Sequence, residues 1–162
     1  MSTHGESFDA GALRRLRERG LELSKPSNPA GKYVTHKLHR GTGYLAAQLP
    51  SRDGQYVMLG RVGAELDLEA GQRAAELAAL SAITRIRSAL GTLDRLETLL
   101  RVDGIVASAQ GFYDQPKVLD GASELFVAAL AERGEHARSA VATPWLPGNN
   151  SVELVITFAY RE

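Results

Sequence analysis

Between residues 67 and 90 the apolar side chains return at helical spacing, and most of them are small. Ala75, Ala79, Ala82, Ile83, Ile86 and Leu90 fall close to one face, which predicts a long amphipathic helix. Asp67 suits its N-cap, and Gly91 stands where a terminal glycine belongs. A face of alanines lets a helix approach closely, so this helix is expected to lie on a sheet. The flanking sequence supplies strands. Residues 32–39 and 42–48 read as two strands joined around Arg40-Gly41, and Asp53-Gly54 marks a turn before a third at 55–60. Residues 95–108 form a long strand rich in Leu, Val and Ile, with a kink or bulge expected at Gly104.

A second helix is predicted over 115–133. Pro116 suits its first turn, Val118, Ala122, Leu125 and Ala129 form its stripe, and Gly134 ends it. Residues 137–143 and 151–160 are the last strands. A short helix from Ser7 to Gly20, capped by Ser7 or Asp9 and carrying Leu13 and Leu16 on one face, precedes the sheet region. Residues 1–6 are expected to lack regular structure, and 24–31 form a linker rich in breakers. The expected class is α+β: a two-layer sandwich with an about six-stranded mixed sheet and two main helices on one face. Along the last strand Val152, Leu154, Ile156 and Phe158 share one side, while Glu153, Val155, Thr157 and Ala159 share the other. Both sides are largely apolar, which points to burial of the second face against other copies of the chain.

With 162 residues, one domain is expected. Its 19 basic and 19 acidic side chains balance, so the charge footprint of a nucleic-acid binder is missing. The cluster Arg14, Arg15, Arg17 and Arg19 reads as the solvated face of a helix. The chain has no cysteine, which excludes disulfides, thiolate metal sites and a cysteine nucleophile. No segment reads as a signal peptide or membrane span, so a cytoplasmic protein is expected. The sequence holds no Gly-rich phosphate loop, no H-E-x-x-H and no G-x-S-x-G. His36 and His39 point to opposite sides of one strand, so no metal and no cofactor are expected.

Arg138 is the informative residue. On a strand, His136, Arg138 and Ala140 point one way. Arginine is costly to bury without a partner. It is therefore either a structural ion pair, with Glu153 on the next strand as a candidate partner, or a fork of donors waiting for a ligand carboxylate. His136 is either a satisfied polar side chain or a group that tunes Arg138 or touches ligand.

Three patterns carry a resemblance. They are Pro29-Ala30-Gly31-Lys32-Tyr33 with Ala47-Gln48-Leu49-Pro50, then Val118-Leu119-Asp120-Gly121-Ala122-Ser123 within 112–125, then Ala137-Arg138-Ser139-Ala140-Val141 with Leu146-Pro147 and Val152-Glu153-Leu154. Together they resemble the YjgF/RidA family of reactive-intermediate deaminases, often labelled endoribonuclease L-PSP. The likeness covers 29–162, leaving 1–28 as an N-terminal extension of a subgroup. It implies a chorismate-mutase-like fold, a homotrimer and sites in the clefts between subunits. It further implies hydrolysis of enamines or imines to 2-oxo acids and ammonia. Arg138 would bind the substrate carboxylate, Glu153 would position water, and Tyr33 would line the cleft.

Departures bear on the substrate. Ala46 replaces the family serine, Asp120 stands where Asn is frequent, and Ala140 where Cys is frequent. Asp120 either opposes a second anionic group on the ligand or is a helix-surface residue. Three functions follow: an imine/enamine deaminase, a binding module for small carboxylic acids without turnover, or RNA cleavage. The balanced charge speaks against RNA cleavage.

Overall fold

A computed structural model describes residues 5–162. The expectation of irregular chain over residues 1–4 lies outside the described residues; Gly5 and Glu6 have no regular structure. The strands of the main sheet are β1 (His36–His39), β2 (Thr42–Gln48), β5 (Leu96–Ala107), β6 (Ala137–Thr143) and β7 (Val152–Tyr160). They run in the order β1-β2-β7-β5-β6, all antiparallel except the β5–β6 pair. Two helices, α2 (Leu68–Leu90) and α3 (Gln115–Leu130), cover one face, and α1 (Phe8–Glu18) precedes the sheet. The class is α+β, as the periodicities require.

Local signals account for most boundaries. The Asp67 carboxylate accepts from the Ala70 N–H at 2.7 Å, and Gly91 ends α2 at φ 79°. The alanine face of α2 is fully buried together with Ile83 and Ile86. Val118, Leu125 and Phe126 of α3 meet Leu154, Ile156 and Phe158 of β7 in the same core. Truncating any of these large side chains to alanine would cost about 2–5 kcal/mol.

The sheet has five strands, not six. The run expected as a strand over 55–60 extends only through β4 (Gln55–Tyr56), which pairs with β3 (Ser51–Arg52) in a separate hairpin. Met58 at φ 56° and Gly60 at φ 114° turn the chain away from extended geometry. β1 begins at His36 rather than at residue 32, because the Tyr33 N–H bonds back to the Gly31 carbonyl at 3.0 Å in a tight turn. Irregularities in β5 fall at residues 96–98 and 99–101, not at Gly104. Gly104 serves packing instead: a Cβ there would stand 2.1 Å from a Leu119 methyl on α3. The second helix ends at Leu130 and continues as a 3₁₀ turn to Gly134.

The α1 helix is docked. Ser7 caps it, and its Ala12 and Leu16 are buried. The Asp9 carboxylate accepts from Arg87 at 2.8 and 3.0 Å and from the Leu93 N–H at 2.9 Å. The N-terminal arginines do not form one solvated face: Arg14 pairs with Glu6 and Glu18, whereas Arg15 donates to the Ala129 carbonyl of α3. No helix among the described residues is long and apolar enough to cross a membrane. The sheet face away from α2 and α3 remains open, with Val141 50% and Val155 37% exposed.

Candidate functional site

The polar residues singled out by the sequence fall into two groups. The first lies between α3 and the edge strand β6. Arg138 is in register with Val102, which is in register with Ile156, and both partners are buried under the helices. Arg138 therefore faces the helical layer. Its Nη1 donates to Asp120 Oδ1 and Ser123 Oγ, each at 3.0 Å, and its Nη2 donates to the Pro116 carbonyl at 3.1 Å. The ion pair is half wet, with the Arg138 side chain 22% and the Asp120 side chain 49% exposed.

His136 joins this group through Ser123. Its Nδ1 lies 2.6 Å from the Gly134 carbonyl and its Nε2 3.0 Å from Ser123 Oγ. A carbonyl only accepts, so Nδ1 carries the proton, and in the neutral ring Nε2 accepts from the serine. Burial pushes His136 below the usual imidazole range; the Gly134 carbonyl works against this and the Arg138 charge adds to it. Ala140, next along the same side, packs against the core.

The second group surrounds a cavity of about 290 Å³, where residues 27–35 approach α2 and the far end of β2. Tyr33, Gln48, Arg85 and Glu153 line it, together with Pro147 and Gly148. A register irregularity between Leu45 and Gln48 shapes its β2 wall, and the Gln48 amide donates to the Ala46 carbonyl at 2.7 Å. One turn before Arg85 on α2, the Ser81 hydroxyl lies 3.1 Å from the Leu49 carbonyl and 3.0 Å from the Ser51 hydroxyl. Tyr33 stands at the rim, its oxygen accepting from the Ala30 N–H at 3.3 Å.

Glu153 alternates with buried Val152 and Leu154, so it projects from the open face of the sheet. It is in register with Ile105, as is Val141 on the other side. Its carboxylate has no hydrogen bond or ion pair among the described residues, and burial pushes its pKa up. Arg85 is 7% exposed. Burial pushes its pKa down, Tyr33 works the other way, and a guanidinium stays protonated in a protein regardless.

The chain thus brings Tyr33 and Glu153 together, and separately Arg138, His136, Asp120 and Ala140. Arg138 and Glu153 stand on opposite faces of the sheet within one chain. The carboxylate that pairs with Arg138 is Asp120, not the Glu153 considered from the sequence. The resemblance did not point to Arg85. Its signal was its spacing: Ala78, Ala82 and Arg85 recur at helical intervals, which places a charge on the buried stripe of α2. No group of three or more His, Asp or Glu side chains among the described residues is arranged to hold a metal ion.

Comparison with known proteins agrees with this architecture. Residues 13–161 match the family model described as YjgF/chorismate mutase-like, with an endoribonuclease label. Protein TCP17 of Trypanosoma cruzi is 34% identical over 155 residues, covering 95% of each chain. The crystal structure of Atu1372 from Agrobacterium tumefaciens, a protein of unknown function, is 34% identical, covers 95% of each chain and superposes with a TM-score of 0.90. RidA from an Antarctic Psychrobacter shares the fold at 24% identity, with a TM-score of 0.57 over 83% of this chain and 94% of that one. The chain belongs to the YjgF/chorismate mutase-like family.

Proposed function

We propose that this protein hydrolyses small reactive imines and enamines bearing a carboxylate, releasing a 2-oxo acid and ammonia. The observation that carries this reading is Glu153, a half-buried carboxylate without a partner among the described residues, on the wall of a cavity shared with Tyr33. An imine carbon is already electrophilic, so orientation of substrate and water supplies much of the gain and no cofactor is required. Glu153 takes a proton from water as its oxygen bonds to the imine carbon. That proton passes to nitrogen to give a carbinolamine. Glu153 then carries the hydroxyl proton to nitrogen as well, the C–N bond breaks as the C=O forms, and ammonia leaves. An enamine enters the same sequence after tautomerising to its imine. One water is consumed for each 2-oxo acid formed. A carboxylate whose charge is poorly solvated is a better base for this step than an exposed one.

The open sheet face fits a homotrimer in which neighbouring copies cover Val141 and Val155 and close the cavity into a cleft. The test is ammonia release from imino acids generated by an amino-acid oxidase. The wild-type chain should accelerate it and Glu153→Gln should not. An unchanged rate in Glu153→Gln would refute this reading.

A second reading, a binding module without turnover, draws on the pairing of Arg138 with Asp120, which fills the fork that the family resemblance assigns to substrate. It expects saturable binding of 2-oxo acids and no acceleration of ammonia release over buffer.

A further inference from the structure

Arg85 is buried, and no carboxylate among the described residues lies within ion-pair distance of it. Its Nη2 reaches the carbonyl and hydroxyl oxygens of Ser27, and its Nε is buried without an acceptor. Taking a guanidinium out of water costs several kcal/mol unless its donors are matched. Two neutral oxygens on one loop residue do not match five donors and a full charge.

The surroundings indicate what would complete it. Arg85 lines the same cavity as Glu153, and among the described residues these are the only charged side chains on its wall. The remaining polar lining, including Ser27, Gln48 and Ser81, is neutral. With Glu153 ionised the wall is neutral overall, and a ligand with one carboxylate adds a single negative charge that the guanidinium meets directly. A phosphate dianion or a dicarboxylate would bring its second charge toward Glu153 with no second cation to meet it. Planar, bidentate recognition of a carboxylate is what a guanidinium does best.

We propose that Arg85 is the carboxylate-binding residue of this cavity, which accepts small monocarboxylic acids with the atom to be attacked turned toward Glu153. This rests on the reading that the cavity is the working site. It does not require that the chain turn its ligand over.

The probe is 2-oxobutyrate, titrated calorimetrically into the full chain, with 2-oxobutyramide and 2-oxoglutarate as the uncharged and doubly charged comparators. Wild type should bind 2-oxobutyrate, and Arg85→Met should weaken it by roughly tenfold to a hundredfold, the usual loss for a hydrogen bond to a charged partner. Binding of the amide should not change. Arg85→Lys should recover part of the affinity, because it keeps the charge but not the fork. 2-Oxoglutarate should bind more weakly than 2-oxobutyrate, and Glu153→Gln should narrow that gap. A purely structural role for Arg85 would lower the melting temperature of Arg85→Met and leave affinity in the folded fraction intact. That result, or equal affinity for the acid and its amide in wild type, would overturn the proposal. Arg85-dependent binding without ammonia release would uphold it and refute the deaminase reading alone.

Discussion

Arg138 and Arg85 show how differently one fold can treat the same side chain. Arg138 sits on the edge strand β6, yet three groups of α3 fill its fork: Asp120, Ser123 and the Pro116 carbonyl. Its charge is neutralised within the chain, and Ser123 passes the contact on to His136. Arg85 sits in the C-terminal part of α2, is more deeply buried, and among the described residues donates only to Ser27. The contrast shows that the presence of an arginine in a family-like motif says less about ligand binding than what already occupies its donors. A filled fork is part of the scaffold at rest, and an unfilled buried one is a standing demand for an anion.

The comparison breaks most sharply at the reaction itself. If the Arg85 cavity is where chemistry occurs, Glu153→Gln should lower ammonia release by about 10²-fold or more, the usual worth of a positioned general base. Substitutions at His136, which faces the other cluster, should alter the rate far less. Equal losses at both positions would erase the distinction between the two regions.

Stability gives the next largest contrast, and its sign differs between the two arginines. Arg138→Met removes a half-exposed ion pair and leaves Asp120 and Ser123 without a donor. A loss of about 1 kcal/mol is expected, seen as a fall of roughly 2–4 °C in thermal unfolding. Arg85→Met removes a buried charge with no carboxylate within ion-pair distance among the described residues, so the melting temperature should hold or rise. A larger fall for Arg85→Met than for Arg138→Met would reverse the assignment of structural and functional roles.

Two pH effects sharpen the picture further. Burial raises the Glu153 pKa above its ordinary 4.5, and the reaction needs the carboxylate. The rate should therefore rise with pH on a limb displaced upward from that value. The same shift has the opposite consequence for stability. Between the ordinary value and the raised one the folded chain binds the proton more tightly than the unfolded chain does. Glu153 thus contributes stability that is present below pH 4.5 and lost as pH rises through its folded pKa. Glu153→Gln should be slightly more stable than wild type at neutral pH, with the difference vanishing in acid. Urea unfolding at the two pH values measures it.

Much of this molecule was readable from its sequence because the signals are local. The helical stripes of α2 and α3, the Ser7 and Asp67 caps, Gly91, and the alternation along β7 each depend on neighbours within a few residues. The Asp53-Gly54 turn appeared as expected, with both residues at positive φ. What failed depended on distant contacts. The strand expected over 55–60 is diverted at Met58, a residue whose left-handed backbone no propensity foretells. Gly104 looked like a bulge but answers to Leu119 across the helix–sheet interface. The alternation of Val152, Glu153 and Leu154 was legible, and with it the face of Glu153. The face of Arg138 was not, because it depends on the register of β6 against β5. Hence the pairing with Asp120 across α3 went unseen. Arg85 went unremarked, although its helical spacing sets a charge on an apolar stripe, and only the cavity beside it gives that charge a use.

The most direct test of the account is a calorimetric titration of 2-oxobutyrate into wild type, Arg85→Met and Arg138→Met, each shown to be folded. The account expects affinity to fall by roughly tenfold or more in Arg85→Met, the loss expected for a charged hydrogen-bond partner, and only slightly in Arg138→Met. A loss confined to Arg138→Met, with Arg85→Met binding as wild type does, would contradict it.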